Sequence, residues 1–96
     1  MRSVQLCSAA QNDFIESLCW YAEQNADSAR QFESDFDAAL NRIADSADTL
    51  AAFDDRHHYL QMRRFPFVII FRASLSRITV VAVADTARSP EFWRGR

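Results

Sequence analysis

Between Ala9 and Gln24 the apolar side chains Phe14, Leu18, Cys19, Tyr21 and Ala22 recur at intervals of three to four, with Asp13, Glu16 and Glu23 outside that stripe. The period is that of an amphipathic helix. Asn25-Ala26-Asp27 interrupts it, and Asp27 or Ser28 offers a side-chain acceptor to the free amides of a second helix. That helix is predicted by Ala29, Phe32, Phe36, Ala39, Leu40, Ile43 and Ala47, an i, i+3, i+4, i+7 series. The short break implies that the two helices form an antiparallel hairpin.

Elsewhere the period changes to two. Ser3 to Cys7 puts Val4 and Leu6 on one side, a short first strand, with Ser8 placed to cap the helix that follows. Asp54-Asp55-Arg56 is a charged turn. Beyond it, His57 to Arg64 alternates, with His58, Leu60 and Met62 opposite His57, Tyr59, Gln61 and Arg63. After Pro66, the run Phe67 to Arg72 is apolar on both faces, as a central strand covered above and below would be. Ala73 to Ser76 is hairpin-sized, and Arg77 to Asp85 gives a last strand with Ile78, Val80, Ala82 and Ala84 opposite Thr79, Val81 and Val83. The fold expected is α+β: a short N-terminal strand and an antiparallel helical hairpin packed on an antiparallel β-meander, one domain over residues 1–96.

One helical hairpin covers one face of a sheet, so the other face needs the tail from Thr86 to Arg96 or a separate protein. Ser89-Pro90-Glu91-Phe92-Trp93 predicts a single helical turn, with Ser as cap and Pro in the first helical position. Phe92 and Trp93 then have apolar area to dock.

The net charge of −2 conceals a division. Residues 1–55 hold three arginines against eleven acids, a balance of −8, and residues 56–96 hold eight arginines against two acids, +6. The second half is therefore suited to an acidic partner, carboxylate or phosphate. Every cation is Arg, which favours planar bidentate recognition and removes Lys as a catalytic base. There is neither a signal-peptide pattern nor an apolar run of membrane length, so a cytoplasmic location is expected. Cys7 and Cys19, without CxxC spacing, read as small buried apolar residues.

Candidate chemistry is sparse. The serines lie in no nucleophile-elbow context, and Gly95 is the single glycine, so a phosphate-cradling loop is excluded. His57 and His58 are neighbours on a strand and point to opposite faces, which rules out joint metal chelation. The pairs Asp54-Asp55 and Asp35, Asp37 look like solvated turn and helix surface. No cofactor, metal or catalytic residue is expected. What remains is a set of cations and aromatics, Tyr59, Arg63, Arg64, Arg72 and Arg88, able to hold phosphate or carboxylate and to stack on bases.

Three segments in order, Trp20-Tyr21-Ala22-Glu23-Gln24, Arg63 to Arg72 and Val83 to Trp93, give the chain a resemblance to the ParE/RelE toxins of type II toxin–antitoxin systems, the plasmid stabilisation proteins. The resemblance implies a toxin neutralised by a cognate antitoxin whose C-terminal segment wraps it. RelE-like members are ribosome-dependent mRNA interferases that use basic, His or Tyr side chains on the sheet, whereas ParE-like members inhibit DNA gyrase and engage it through the end of the chain. Here Val68 occupies a strand position where the ribonucleases carry Arg, and Asp85 one where His is common. An aliphatic side chain cannot stabilise a phosphorane, and a carboxylate opposes the charge that develops on it. The ParE-like branch is favoured, with an mRNA interferase or an inactive binding module as alternatives. Tyr59, Arg63, Arg64, Arg72 and Arg88 on the sheet, and Trp93, Arg94 and Arg96 in the tail, are the expected antitoxin and target contacts. The tail is expected to be separable from the antitoxin surface.

Overall fold

In the computed structural model, which describes residues 2–96, the expected layers are present. β1 (Ser3–Leu6) leads into α1 (Ser8–Gln24) and α2 (Ala26–Ser46), followed by one tighter helical turn, Ala47–Thr49. The meander β2 (His58–Gln61), β3 (Phe67–Ala73) and β4 (Arg77–Asp85) follows, and α3 (Glu91–Arg94) ends the chain. The sheet order is β1-β4-β3-β2. β2, β3 and β4 are antiparallel, but β1 lies parallel to β4, with Ser3 opposite Arg77 and Leu6 opposite Val80. The helical hairpin between β1 and the meander is long enough to return the chain in that direction.

Helix boundaries follow backbone chemistry more closely than the apolar stripe. Asn25, within the expected break, and not Asp27 or Ser28, supplies the cap: its backbone is extended (φ −170°, ψ 157°), its N–H closes α1 on the Tyr21 carbonyl, and its side chain accepts the Ser28 amide at 2.7 Å. Asn suits this double role because its short amide caps a helix in a conformation that also ends one. Ser8 is already helical, and Cys7 precedes α1 with no side-chain cap.

The hairpin packs on one sheet face through an aromatic cluster. Phe14 sits 4.4 Å from Phe36, Tyr21 5.1 Å from Phe32, and Phe32 5.3 Å from Phe67, ring centre to ring centre. Each such pair adds about 0.5–1.5 kcal/mol to the burial term. Ile43, Ile69, Phe71, Ile78 and Val80 complete this core, each fully buried. Cys7 is half-buried against it, whereas Cys19 is exposed on the outer side of α1, contrary to the expectation of burial.

A bulge explains the one large departure in the sheet. Ile70 pairs with Ala82 but Phe71 with Val80, so Val81 is the extra residue on β4. An inserted residue transfers every following side chain to the other face. Hence Val80 and Val83 both join the helix-side core, while Val81, Ala82 and Ala84 face the opposite layer with Ile70. The strict alternation read from the sequence fails at this point. β2 also ends sooner than expected, at Gln61: residues 62–66 turn so that the Arg64 amide reaches the Asp35 carboxylate at 3.2 Å. Asp35 is consequently buried, not a solvated helix acid.

Candidate functional site

The second face of the sheet is closed in part by the tail. After β4, the Asp85 carboxylate accepts the Ala87 amide at 2.8 Å and the Asp85 carbonyl accepts that of Arg88 at 3.0 Å, which turns the chain back across the sheet. The Ser89 hydroxyl accepts the Glu91 amide at 3.3 Å, but Pro90, not Ser89, is the residue that precedes α3, so the proline stands just before the helix and not in its first position. Trp93 is 2 % exposed, with its ring centre 5.0 Å from Phe53 and 5.1 Å from His57, over Ile70, Val81, Ala82 and Ala84.

The tail's cations are held in different ways. Arg96 reaches back to α1, donating to Asp13 at 2.6 and 3.3 Å and to the Val81 carbonyl at 3.1 Å, and the hydrogen bonds to Asp13 raise its pKa above the usual arginine value. Asp13, read as a surface acid, is mostly buried and also accepts the Val83 amide at 3.1 Å. Phe92 lies between the guanidiniums of Arg88, 4.1 Å from its ring centre, and Arg96, 5.3 Å away. Arg94 is exposed, paired with Glu91 and 5.6 Å from the centre of the Phe53 ring.

Between this tail and the far face of β2, β3 and β4 is a groove of about 310 Å³. Its floor is Tyr59, Val68, Ile70 and Ala84, its tail-side wall Pro90 and Trp93, and its polar rim Gln61, Asp85, Thr86 and Arg88. Tyr59 stands opposite Ile70 and Gln61 opposite Val68, so these side chains come from adjacent strands on one face. Of the residues expected as contacts, Tyr59, Arg88 and Trp93 meet here. Arg72 is on the same sheet face by alternation but towards the other end of β3. Arg63 and Arg64 lie in the turn after β2, exposed and away from the groove. Trp93 and Pro90 form one wall, so the tail and the sheet surface are continuous at this groove.

Val68 and Asp85, singled out in sequence as replacing an Arg and a His, line this same groove. Neither histidine compensates. His57 is buried with its Nδ1 at 2.9 Å from the Asp54 carboxylate, and His58 is placed with its Nδ1 3.2 Å from the Leu50 carbonyl and its ring 5.6 Å from Phe71. Asp54 is held below the usual carboxylate range, chiefly by the Arg56 amide and also by the side chain and amide of His57. On the helix side of Asp85, burial and the Asp85 charge push the Tyr21 phenol up. Among the described residues no cluster of His, Cys, Asp or Glu is arranged to hold a metal ion, and no helix is long and apolar enough to cross a membrane.

No protein-family model and no curated protein matches this sequence. Among solved structures, the chain superposes on one from a structure described as the chromosomal ParDE TA system from P. aeruginosa, with a TM-score of 0.76, over 88% of this chain and 96% of that one, at 18% identity. The fold is ParE-like. The ParE-like plan of a helical hairpin on one face of a mostly antiparallel sheet accounts for the placement of all three sequence segments that carried the resemblance. Within it, the groove on the far face is floored by apolar side chains and bordered by a single guanidinium and a single carboxylate. Such a surface can bind an apolar or amphipathic segment. It offers one cation to a phosphate.

Proposed function

We propose that the chain is the toxin of a type II toxin–antitoxin pair, neutralised by a cognate antitoxin protein and acting by binding a cellular target, most directly DNA gyrase, without cleaving RNA. The observation that carries the non-nuclease part is the groove itself. Phosphodiester cleavage needs a base for the attacking 2′-hydroxyl, an acid for the leaving oxygen and cations for the pentacoordinate phosphorus. The groove holds Tyr59 and Arg88, but Val68 supplies no charge and Asp85 supplies the wrong sign. Removing one donor aimed at developing charge typically costs a factor of about 100–1,000 in rate, and here two positions lack one.

The toxin reading draws on the ParE-like fold and on the need of the open apolar groove for cover. Gyrase is favoured over the ribosome because the chain is acidic overall, whereas binding to ribosomal RNA rewards positive charge. The test uses the purified chain in two assays: gyrase-dependent supercoiling of relaxed plasmid, and primer extension on mRNA bound to programmed ribosomes. Inhibited supercoiling with uncut mRNA is expected. Codon-positioned cuts would overturn the reading and move Tyr59 and Arg88 to the head of a catalytic set.

A further inference from the structure

We infer that a second groove, between α2 and the turn after β2, is where the neutralising partner's carboxylates dock. This inference rests on the toxin reading and adds to it a surface outside the sheet groove. The α2–β2 groove has a volume of about 650 Å³, the largest of the cavities described. Ala39 and Leu60, both largely buried, form its apolar floor. Arg42 from α2 and Arg63 and Arg64 from the turn line it, all three exposed, and among the described residues none of them is in an ion pair.

Two acids share the groove, and their states differ. Asp35 is 6 % exposed and accepts the Arg64 amide, so its carboxylate fixes the turn and is not presented to solvent. Asp45 is exposed. Three guanidiniums therefore confront one solvent-facing carboxylate, on a chain whose helical layer is otherwise acidic. Cations gathered at an apolar cleft, without partners of their own, match an amphipathic segment that carries carboxylates beside apolar side chains.

The groove's walls also select among acidic ligands. Beyond it, the outward side of α2 carries Glu33 and Asp37, both exposed, and with Asp45 in the groove these repel a continuous phosphate chain leaving the cleft. A protein segment places its carboxylates singly and can avoid them. From Asp35 to Asp45, α2 runs about 15 Å at 1.5 Å per residue. That length matches about three turns of a partner helix, with carboxylates three to four residues apart facing Arg42 and Arg63.

The experiment co-expresses the chain with the product of any small reading frame that adjoins its gene, then measures their affinity by titration calorimetry for wild type and for Arg42→Glu/Arg63→Glu. Both substituted side chains are exposed, and the Asp35 contact to the Arg64 amide is untouched. The double variant is expected to bind about 100-fold more weakly, with a shallower dependence on salt and an unchanged melting temperature. Should it melt earlier, Arg42→Gln/Arg63→Gln serves instead, with about 10-fold weaker binding expected. Equal affinities for wild type and a stably folded variant would overturn the groove assignment and leave the toxin reading intact. The absence of any wild-type complex would overturn both. Loss of binding to a single-stranded RNA oligonucleotide, with partner affinity unchanged, would assign the groove to nucleic acid and overturn the inference as stated.

Discussion

Arg96→Ala should destabilise the whole fold, although it removes an arginine from the last turn of the chain. β1 pairs with β4 only as far as Val80, so beyond it the Val81 carbonyl and the Val83 amide face an edge with no strand. Asp13 and Arg96 occupy that edge: Asp13 accepts from Val83, and Arg96 donates to both Val81 and Asp13. The pair is mostly buried, with side-chain exposures of 22 % for Arg96 and 11 % for Asp13. Breaking a fully buried pair costs about 3–5 kcal/mol, and an exposed one about 0.2–1 kcal/mol. At these exposures about 2 kcal/mol is expected for Arg96→Ala. Asp13→Ala also leaves the Val83 amide unsatisfied and should cost about 3 kcal/mol. The double mutant should lose less than the two together, with a coupling of about 1–1.5 kcal/mol. Urea denaturation of the four proteins measures the cycle, and thermal melting should follow it at about 4–8 °C per kcal/mol for a domain of this size. Additive effects, or a loss below about 0.5 kcal/mol for Arg96→Ala, would refute the view that this pair completes the sheet edge.

Trp93→Ala removes a ring that is 2 % exposed and should cost about 3–5 kcal/mol, observed as a large fall in the urea midpoint; deletion of Ser89 to Arg96 should therefore unfold the domain instead of yielding a folded, inactive chain. Arg94→Ala, at an exposed position, should leave stability within about 0.5 kcal/mol of wild type and is the clean probe of tail contacts, with a weakened gyrase effect expected in the supercoiling assay. Asp54 has a folded pKa below its unfolded value, so its contribution is present above the ordinary carboxylate range and lost as pH falls through the folded value; Asp54→Asn should flatten the stability–pH curve below about pH 4, as urea titrations at several pH values would reveal.

The two helices, the charged turn at Asp54, the doubly apolar β3 and the short final helix are legible because each depends on periodicity or composition within a few residues. What escaped depends on partners distant in sequence. Asp13 reads as a surface acid because Arg96, 83 positions away, is its partner. Asp35 reads as solvated because the Arg64 amide that needs it belongs to a turn 29 positions later. The bulge at Val81 leaves no compositional mark, since Val81, Ala82 and Val83 are apolar whichever way they face. The parallel pairing of β1 follows from tertiary geometry alone. Of the contact candidates legible in the sequence, Tyr59, Arg88 and Trp93 meet in the sheet groove. Arg42, proposed to face the partner's carboxylates, carries no mark in the sequence because it sits on a helix whose amphipathic pattern explains it fully as a solvated residue.

Whether the chain is a toxin held in check by a protein partner is decided by the growth of a bacterial culture on induction. Growth should stop when the chain alone is induced, with soluble protein confirmed in the lysate, and should resume when a small reading frame that adjoins its gene is expressed as well. Unimpaired growth at confirmed soluble expression would contradict it.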